Sequence, residues 1–302
     1  MLQILHATNI PFMKYRRLAY FFSGSIILAT LAFLVIKGPK LGVDFRGGTL
    51  LQIRTAPAQQ ADAVRKALDA GGFKGAEIQQ MTGAAKDEFL ISTPDSTNVF
   101  PRAQAAIETH IPGAKVELRN LSYVGAKVGK DLKRKAVMAI LSSLGIILLY
   151  VGWRYEFKYS LGGVVALLHD VLVTLGFLCF TGREITLTVI AALLTIAGYS
   201  INDTIVVFDR IRERSKDLRK EKHSRVMDIA VNETLSRTVI TAFTVFLTAL
   251  ALFIWGGEVL RDFSFAMLVG TVFGTYSSVY VASAMALDIW IALDRRKGVP
   301  AE

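Results

Sequence analysis

The chain has 302 residues, of which 52% are hydrophobic, and its formal net charge is +10. An ordinary soluble domain of this length does not carry such an apolar excess, so that class of protein is excluded. Much of the positive charge lies beside apolar segments, where orientation in a lipid membrane explains it better than nucleic-acid binding does.

The apolar residues are concentrated in long runs. A run of about 18 residues is long enough to cross the hydrocarbon core of a membrane. Two runs are interrupted by ionisable residues, and the other four contain no Asp, Glu, Lys or Arg. The uninterrupted runs are 18–36, 136–153, 238–257 and 263–287, and the interrupted ones are 160–181 and 185–208. We therefore predict an α-helical polytopic membrane protein with six transmembrane helices.

The first run follows three basic residues, so a signal peptide is the alternative to a membrane anchor. The apolar part of a signal peptide is shorter, about 7–15 residues, and is followed by a small-residue cleavage site. Gly38-Pro39-Lys40 follows here, with no such pattern. We expect an uncleaved anchor, with residues 1–36 forming the N-terminus and the first transmembrane helix.

Residues 37–135 have the character of one soluble domain. The periodicity of their apolar residues predicts alternating strands and helices. The predicted elements are a strand at 49–55, a helix at 58–70, strands at 77–81 and 88–92 around a turn containing Gly83, a helix at 98–110, and a strand at 115–121. The order β-α-β-β-α-β is that of a ferredoxin-like α+β domain. His110 is its one histidine and it has no cysteine, so nothing in it is typical of a catalytic site.

The Lys and Arg residues near the ends of the runs predict the orientation. The basic residues fall before the first run, in a loop at 209–237, and in a tail at 294–302. With six helices these regions lie on one side, which we expect to be the cytoplasm. The domain at 37–135 is then periplasmic, and transmembrane helices 2–6 occupy 136–293.

Ionisable residues within a membrane span are costly and rare, so each is a candidate functional residue. Asp203 lies in the fourth run, with Ser200 and Thr204 as polar neighbours. Because low dielectric disfavours a charged carboxylate, Asp203 is a candidate to bind and release a proton. Arg237 opens the fifth run, and threonines at 238, 241, 244 and 248 follow along one helical face.

Two interpretations of these residues remain open. Asp203 and Arg237 either lie in a proton path or form a static pair near the headgroups, with Arg237 reaching toward water. His169 and Asp170, within the third run, are either a second element of the path or a hydrogen-bonded packing pair, and we favour packing.

The sequence contains no phosphate-binding loop, no H-E-x-x-H zinc motif and no G-x-S-x-G nucleophile motif. We therefore expect no enzyme activity, no metal and no cofactor. An ion gradient is then the natural source of energy.

Four motifs together resemble those of the SecD/SecF protein-export family. They are Gly-Val-Asp-Phe-Arg-Gly-Gly at 42–48, Ala-Leu-Leu-His-Asp at 166–170, the fourth-run segment 198–213, and Asn-Glu-Thr-Leu-Ser-Arg-Thr at 232–238. The resemblance covers nearly the whole chain. One departure is Ala126, where the family pattern V-G-P has proline.

The resemblance implies a subunit of the SecDF complex, related to the RND transporters, in the inner membrane of a bacterium. Its implied partners are SecD, the SecYEG channel, SecA, YajC and the translocating preprotein. The family uses the proton-motive force to promote late, ATP-independent steps of export. Its residues for proton conduction correspond here to Asp203 and Arg237, with possible support from Ser200, Asn202, Thr204, Thr241, His169 and Asp170. The alternatives are a scaffold that conducts no protons and an RND-type exporter of small molecules.

Overall fold

The computed structural model describes residues 8–81, 86–155 and 157–296 of the chain. They form a bundle of long helices and one small domain with a four-stranded sheet. In chain order the elements are α1 (Arg16–Ile36), α2 (Val43–Arg46), β1 (Gly48–Ala56), α3 (Ala61–Ala70), β2 (Glu77–Gln80), β3 (Glu88–Thr93), α4 (Val99–His110), β4 (Lys115–Val124), α5 (Ala126–Arg154), α6 (Phe157–Phe180), α7 (Leu187–Asp217), α8 (His223–Trp255), α9 (Glu258–Ser277) and α10 (Ser283–Arg296). A π-helical segment, Ser278–Ala282, joins α9 to α10.

Six helical segments in the described residues are long and apolar enough to cross a membrane. They are α1 with the short turn before it, α5, α6, α7, α8, and the continuous α9–α10 unit. The prediction of six transmembrane helices is confirmed. Helix α6, helix α7 and the α9–α10 unit are the most enclosed by their neighbours, whereas α1, α5 and α8 expose most of their surface.

The small domain has the predicted β-α-β-β-α-β order. Its strands are arranged β2-β3-β1-β4, and every neighbouring pair is antiparallel. This is the ferredoxin-like topology, so that prediction is confirmed. The predicted turn at Gly83 lies outside the described residues.

The core of the domain lies between one face of the sheet and helices α3 and α4. On β1 the alternation of the sequence buries Leu51 and Ile53, both fully inaccessible. Val64 and Leu68, one helical turn apart on α3, are also fully buried against them. Each such side chain contributes about 1.5–3 kcal/mol through burial.

The transmembrane helices extend beyond their apolar runs. Helix α5 already begins at Ala126, whereas the predicted domain extends to residue 135. Ala126 is the first helical residue after Gly125, a position where proline is favoured, so either alanine or proline is compatible with the start of this helix.

The predicted loop at 209–237 is also largely helical, because α7 continues to Asp217 and α8 starts at His223. Lys, Arg and Glu are good helix formers, so a change from apolar to charged residues does not end a helix. Glu233 on α8 joins the two extensions through Arg210 and Arg214 of α7, each at 2.6 Å.

The domain is attached to the loop between α6 and α7. The amide of Ile185 donates to the carbonyl of Lys40 at 2.7 Å, and the amide of Gly42 donates to the carbonyl of Ile185 at 2.9 Å. Asp44 Oδ2 accepts a hydrogen bond from the amide of Leu187, the first residue of α7, at 2.9 Å. A side chain of α2 therefore satisfies one of the free amides at the start of α7.

Candidate functional site

Helix α7 carries Asp203 into the interior of the bundle. The side chain is 7% exposed, and hydroxyl groups of two other elements donate to it. Thr238 Oγ1 of α8 donates to Oδ1 at 2.6 Å, and Ser278 Oγ of the π-helical segment donates to Oδ2 at 2.7 Å. Three membrane segments thus meet at one carboxyl group.

Asp203 lies near the middle of α7 and toward the end of the apolar run 185–208, five residues before that run gives way to the charged extension. At 1.5 Å per residue it is about 24 Å from Leu187 and about 21 Å from Asp217. A charge buried inside the bundle within an apolar run is costly unless it is neutralised or paired. The two hydroxyl donors stabilise an ionised carboxylate only in part, so the arrangement suits a group that exchanges a proton.

Arg237 is placed differently from the prediction of a paired cation. Its side chain is exposed on the outer face of α8. In the described part of the chain no salt bridge joins it to Asp203, although its charge is near enough to act on that carboxyl. The neighbouring residue Thr238, rather than Arg237 itself, contacts Asp203 directly.

The threonine stripe of α8 is divided between two surfaces. Thr238 points into the bundle and is 1% exposed. Thr241, Thr244 and Thr248 lie on the outer face, each with its hydroxyl donated to a backbone carbonyl of the same helix. Together with Arg237 they form an exposed polar band, which we call the outer α8 band.

Asp170 is another buried carboxyl group of the bundle. It is fully inaccessible, and its Oδ1 lies 2.9 Å from His169 Nδ1. Its Oδ2 accepts hydrogen bonds from Ser200 Oγ of α7 at 2.5 Å and from Ser277 Oγ of α9 at 2.8 Å. His169 and Asp170 are therefore a hydrogen-bonded pair that other helices hold in place.

The remaining predicted residues do not all join Asp203. Ser200 bonds to Asp170 instead, and Asn202 is exposed. Thr204 is buried, and within the described residues its hydroxyl has no hydrogen-bond partner. Sequence reasoning missed Ser277 and Ser278, although two consecutive serines in an apolar run are a visible signal.

A third acidic group lies where the domain meets the bundle. Glu184, in the loop between α6 and α7, faces Glu77 of β2. Burial, followed by the hydrogen bond and the charge of Glu77, raises the pKa of Glu184 to about 8. Arg46 lies 3.9 Å from Glu77 and 4.0 Å from Glu184. Since these residues are far apart in the chain, no local pattern predicts their contact.

Across residues 8–81, 86–155 and 157–296, no group of three or more His, Cys, Asp or Glu side chains is arranged to hold a metal ion.

Two family models match the chain. The model described as protein export membrane protein SecD/SecF, C-terminal, matches residues 104–291. The SecD/SecF GG motif matches residues 32–59, which include the segment that contacts the start of α7.

Relatives of known identity match along almost the whole chain. The protein translocase subunit SecF of Rhodothermus marinus is 43% identical over 296 residues, which cover 95% of this chain and 96% of the relative. That of Vibrio alginolyticus is 42% identical over 302 residues, covering 96% and 93%.

Solved structures are similar as well. The crystal structure of SecDF from Thermus thermophilus, described as a translocon-associated membrane protein, has a TM-score of 0.82 and 38% identity over 94% of this chain. SecDF in its super-membrane-facing form has a TM-score of 0.75 and 36% identity over 99% of this chain. The present chain covers 39% and 41% of those SecDF chains.

Proposed function

The chain belongs to the SecD/SecF family as a SecF-type translocase subunit, and we propose that it uses the proton-motive force to promote preprotein export. In this proposal Asp203 binds and releases the proton. The membrane potential supplies about 2.3 kcal/mol per elementary charge and 100 mV. The energy therefore comes from the gradient, with no cofactor.

The observation that carries the proposal is the placing of Asp203. It lies at the middle of its helix, buried, with hydroxyl donors from α8 and from the π-helical segment. Loss or gain of a proton changes which of these hydroxyls donates and which accepts. Since the donors belong to different segments, proton exchange favours one packing of the segments over another.

The outer α8 band supports a partner subunit beside this chain. Arg237 lies next to Thr238 in sequence and therefore at the depth of Asp203, exposed where lipid would otherwise contact it. A cation facing lipid at that depth is costly. We propose that a SecD-type subunit covers the band and completes the proton path with Arg237. The matched SecDF chains, of which this chain covers 39–41%, have the additional length for such a partner.

The contact between Asp44 and Leu187 supports a route from the proton site to the soluble domain. One end of α7 is bound by Asp44, and Asp203 lies on the same continuous helix. A helix moves as a rigid element over this length. A shift of α7 after proton exchange would therefore reach the domain through the segment 40–48.

We place the chain in the bacterial inner membrane with both termini in the cytoplasm and the domain in the periplasm. Two contacts support a common side for both termini: Arg225 bonds to Asn9, and His223 bonds to Asp294, so the start of α8 meets both ends of the described chain. The cytoplasm is chosen for that side from its basic residues. The partners proposed from the family resemblance, besides SecD, are SecYEG, SecA, YajC and the preprotein.

The test is proton flux in vesicles that contain the chain together with its SecD partner. We expect Asp203→Asn to abolish gradient-driven flux and to reduce preprotein export to the level without the complex. Asp209→Asn is the matched control, because Asp209 is an exposed aspartate on the same helix. If Asp203→Asn leaves flux and export unchanged, the chain is a scaffold and the proton path is rejected.

A further inference from the structure

The buried carboxyl groups Asp170 and Asp203 are held by the same two elements. On α7, Ser200 bonds to Asp170 and lies one turn before Asp203. On the α9–α10 unit, the consecutive residues Ser277 and Ser278 bond to Asp170 and Asp203 respectively. A small shift of either element therefore changes the surroundings of both carboxyl groups.

Each of the two serine hydroxyls has a second acceptor. Ser277 Oγ lies 2.8 Å from Asp170 Oδ2 and 3.1 Å from the carbonyl oxygen of Gly274. Ser278 Oγ lies 2.7 Å from Asp203 Oδ2 and 3.0 Å from the carbonyl oxygen of Thr275. A hydroxyl has one hydrogen, so it donates to one acceptor at a time.

The charge of the carboxyl group decides between these acceptors. An ionised Asp203 attracts the Ser278 hydrogen, because hydrogen bonds to charged acceptors are stronger. When Asp203 binds a proton, its new O–H donates to Ser278 Oγ, and the Ser278 hydrogen turns to the carbonyl of Thr275. The serine neither gains nor loses a proton in this exchange. The same choice exists for Ser277 beside Asp170.

The backbone at this place is irregular and tightly packed. The π-helical segment begins at Ser278, whose carbonyl accepts the hydroxyl of Ser283 at 2.8 Å. An added Cβ at Gly274 would lie 3.3 Å from Ser200 Cβ and 3.7 Å from Asp170 Oδ2. Helices α7 and α9 thus approach closely at Asp170. Short π-helical segments occur often at functional sites.

His169 gives the Asp170 pair the capacity to hold a proton. Its Nδ1 lies 2.9 Å from Asp170 Oδ1, and Nε2 is buried with no hydrogen-bond partner among the described residues. With Nδ1–H donated to Asp170, Nε2 carries a lone pair that accepts a proton. A static packing pair has no need of this unpartnered nitrogen, because a buried polar atom without a hydrogen bond is destabilising.

We propose that Asp170 and His169 form a second proton-binding site, and that Ser277 and Ser278 couple its proton occupancy to that of Asp203. This deepens the proposed function and rests on it for its biological use. The two serines are positioning residues in this arrangement. The sequence left two interpretations of His169 and Asp170, a packing pair or a second element of the proton path. This proposal takes the second.

Other titratable and charged groups surround the two sites. Tyr276 of α9 lies beside the His169 ring, with a centroid distance of 6.0 Å, and Tyr199 and Arg237 lie toward Asp203. Helices α1 and α10, which also pack on α6, carry the cluster Arg16, Tyr20 and Asp288. The run 136–153 of α5 contains no charged residue.

The experiment is infrared difference spectroscopy of the chain with its SecD partner in membranes, recorded as the pH is stepped. A protonated Asp203 has a C=O stretch of its own. A proton on His169 Nε2 shifts the imidazole bands and the carboxylate band of Asp170, so each site gives a titrating signal. We expect Asp170→Asn to remove one band and to shift the titration midpoint of the Asp203 band by about one pH unit. Asp203→Asn should shift the Asp170 band reciprocally.

Variants of Ser277 and Ser278 test whether these two serines couple the two sites. In the double variant Ser277→Ala with Ser278→Ala, the midpoint of the Asp203 band should no longer depend on Asp170. Ser264→Ala is the matched control, because Ser264 is a buried serine of α9 whose hydroxyl bonds to the carbonyl of Leu260. In Ser264→Ala the midpoint of the Asp203 band should still depend on Asp170.

An unchanged Asp203 midpoint in Asp170→Asn would overturn the coupling. If that variant does not fold, His169→Gln replaces it, since glutamine keeps a donor and cannot take up the proton. Unchanged midpoints in His169→Gln would also overturn the proposal. The infrared measurement does not depend on proton flux. If the two sites titrate in a coupled way but Asp203→Asn leaves the flux unchanged, the proposed function is rejected and the coupling of the two sites stands.

Discussion

At the scale of single residues, the candidate site depends on hydroxyl groups more than on the expected cation. Asp203 is bonded by Thr238 and Ser278, while Arg237 lies on the outer face of α8. The carboxyl group and its donors belong to this chain. The cation lies on the exposed surface of the chain.

The hydrogen bond between Thr238 and Asp203 predicts that two threonines of the bundle differ in their effect on proton flux. Thr238→Val keeps the shape but removes a hydrogen bond to Asp203, a loss of about 1.5–3 kcal/mol when the acceptor is charged. We expect proton flux to fall about tenfold or more. Thr195→Val is the control, because Thr195 is an exposed residue of α7 whose hydroxyl bonds to the carbonyl of Ala191 in its own helix, and its flux should stay near wild type. Equal effects of the two changes would contradict the assignment.

A second residue-scale prediction concerns pH and the contact between Glu77 and Glu184. The pKa of Glu184 is raised from 4.5 to about 8, mainly by burial and then by Glu77, while Arg46 lowers it and Asp262 raises it. A raised pKa stabilises the contact below the ordinary value, and this stabilisation is lost as the pH rises to about 8. The pKa of Glu77 is lowered by its bond to Glu184 and by Lys40 and Arg46, so its effect falls below pH 4.5.

The measurement is hydrogen exchange of the loop between α6 and α7, corrected for the intrinsic pH dependence of exchange. Protection should decrease between about pH 4.5 and about pH 8 in the wild type. Glu184→Gln, which keeps the shape and cannot ionise, should abolish that decrease. A decrease that persists in this variant would assign the pH dependence to another group.

At the scale of elements, α7 links the two parts of the molecule. Its first residue is bonded by Asp44, its middle carries Asp203, and its last turns bond to α8 through Glu233. A helix with such contacts along its length transmits a displacement that begins at any one of them.

We therefore expect Asp44→Ala to weaken the start of α7. Loss of a side chain that satisfies a helix-terminal amide costs about 0.5–2 kcal/mol. The measurement is hydrogen exchange of the first turn of α7 together with export activity, and both should change while the proton-binding bands remain. Asp62→Ala is the control, since Asp62 makes only an exposed bond with Arg65 among the described residues. Unchanged exchange in Asp44→Ala would exclude this contact as the route.

At the scale of the whole molecule, some helices of the bundle are buried by their neighbours and others expose most of their surface. Helix α6 is largely buried, whereas α8 exposes most of its membrane-spanning surface, including the outer α8 band. Lipid suits the apolar part of that surface and is a poor solvent for Arg237. The molecule thus offers one surface that a second protein stabilises better than lipid does.

If a SecD partner covers the outer α8 band, a large side chain placed on that band should weaken the association of the two subunits. Thr248→Trp should reduce co-purification of the partner severalfold, because interfaces are packed as closely as protein interiors. Leu28→Trp is the control, since Leu28 is a 70% exposed apolar residue of α1. Full co-purification with Thr248→Trp would show that the band is covered by something else.

The sequence by itself determined the elements that depend on local periodicity. Apolar runs longer than the membrane core predict six helices, and the alternation around Leu51 and Ile53 predicts the first strand of a ferredoxin-like domain. The position of Asp203 within an apolar run is also visible in the sequence, and an ionisable residue in such a run is a candidate functional residue.

Only the tertiary structure decided which groups meet. Asp170 and Asp203 share a pair of serines more than seventy residues away, and Glu77 meets Glu184 across the junction of domain and bundle. Helix rotation and close approach at Gly274 fix these contacts, and neither is encoded in the spacing of residues along one segment. Hydrogen bonds reach over about 3 Å, so a small rotation of α8 decides whether Thr238 or Arg237 faces the carboxyl group.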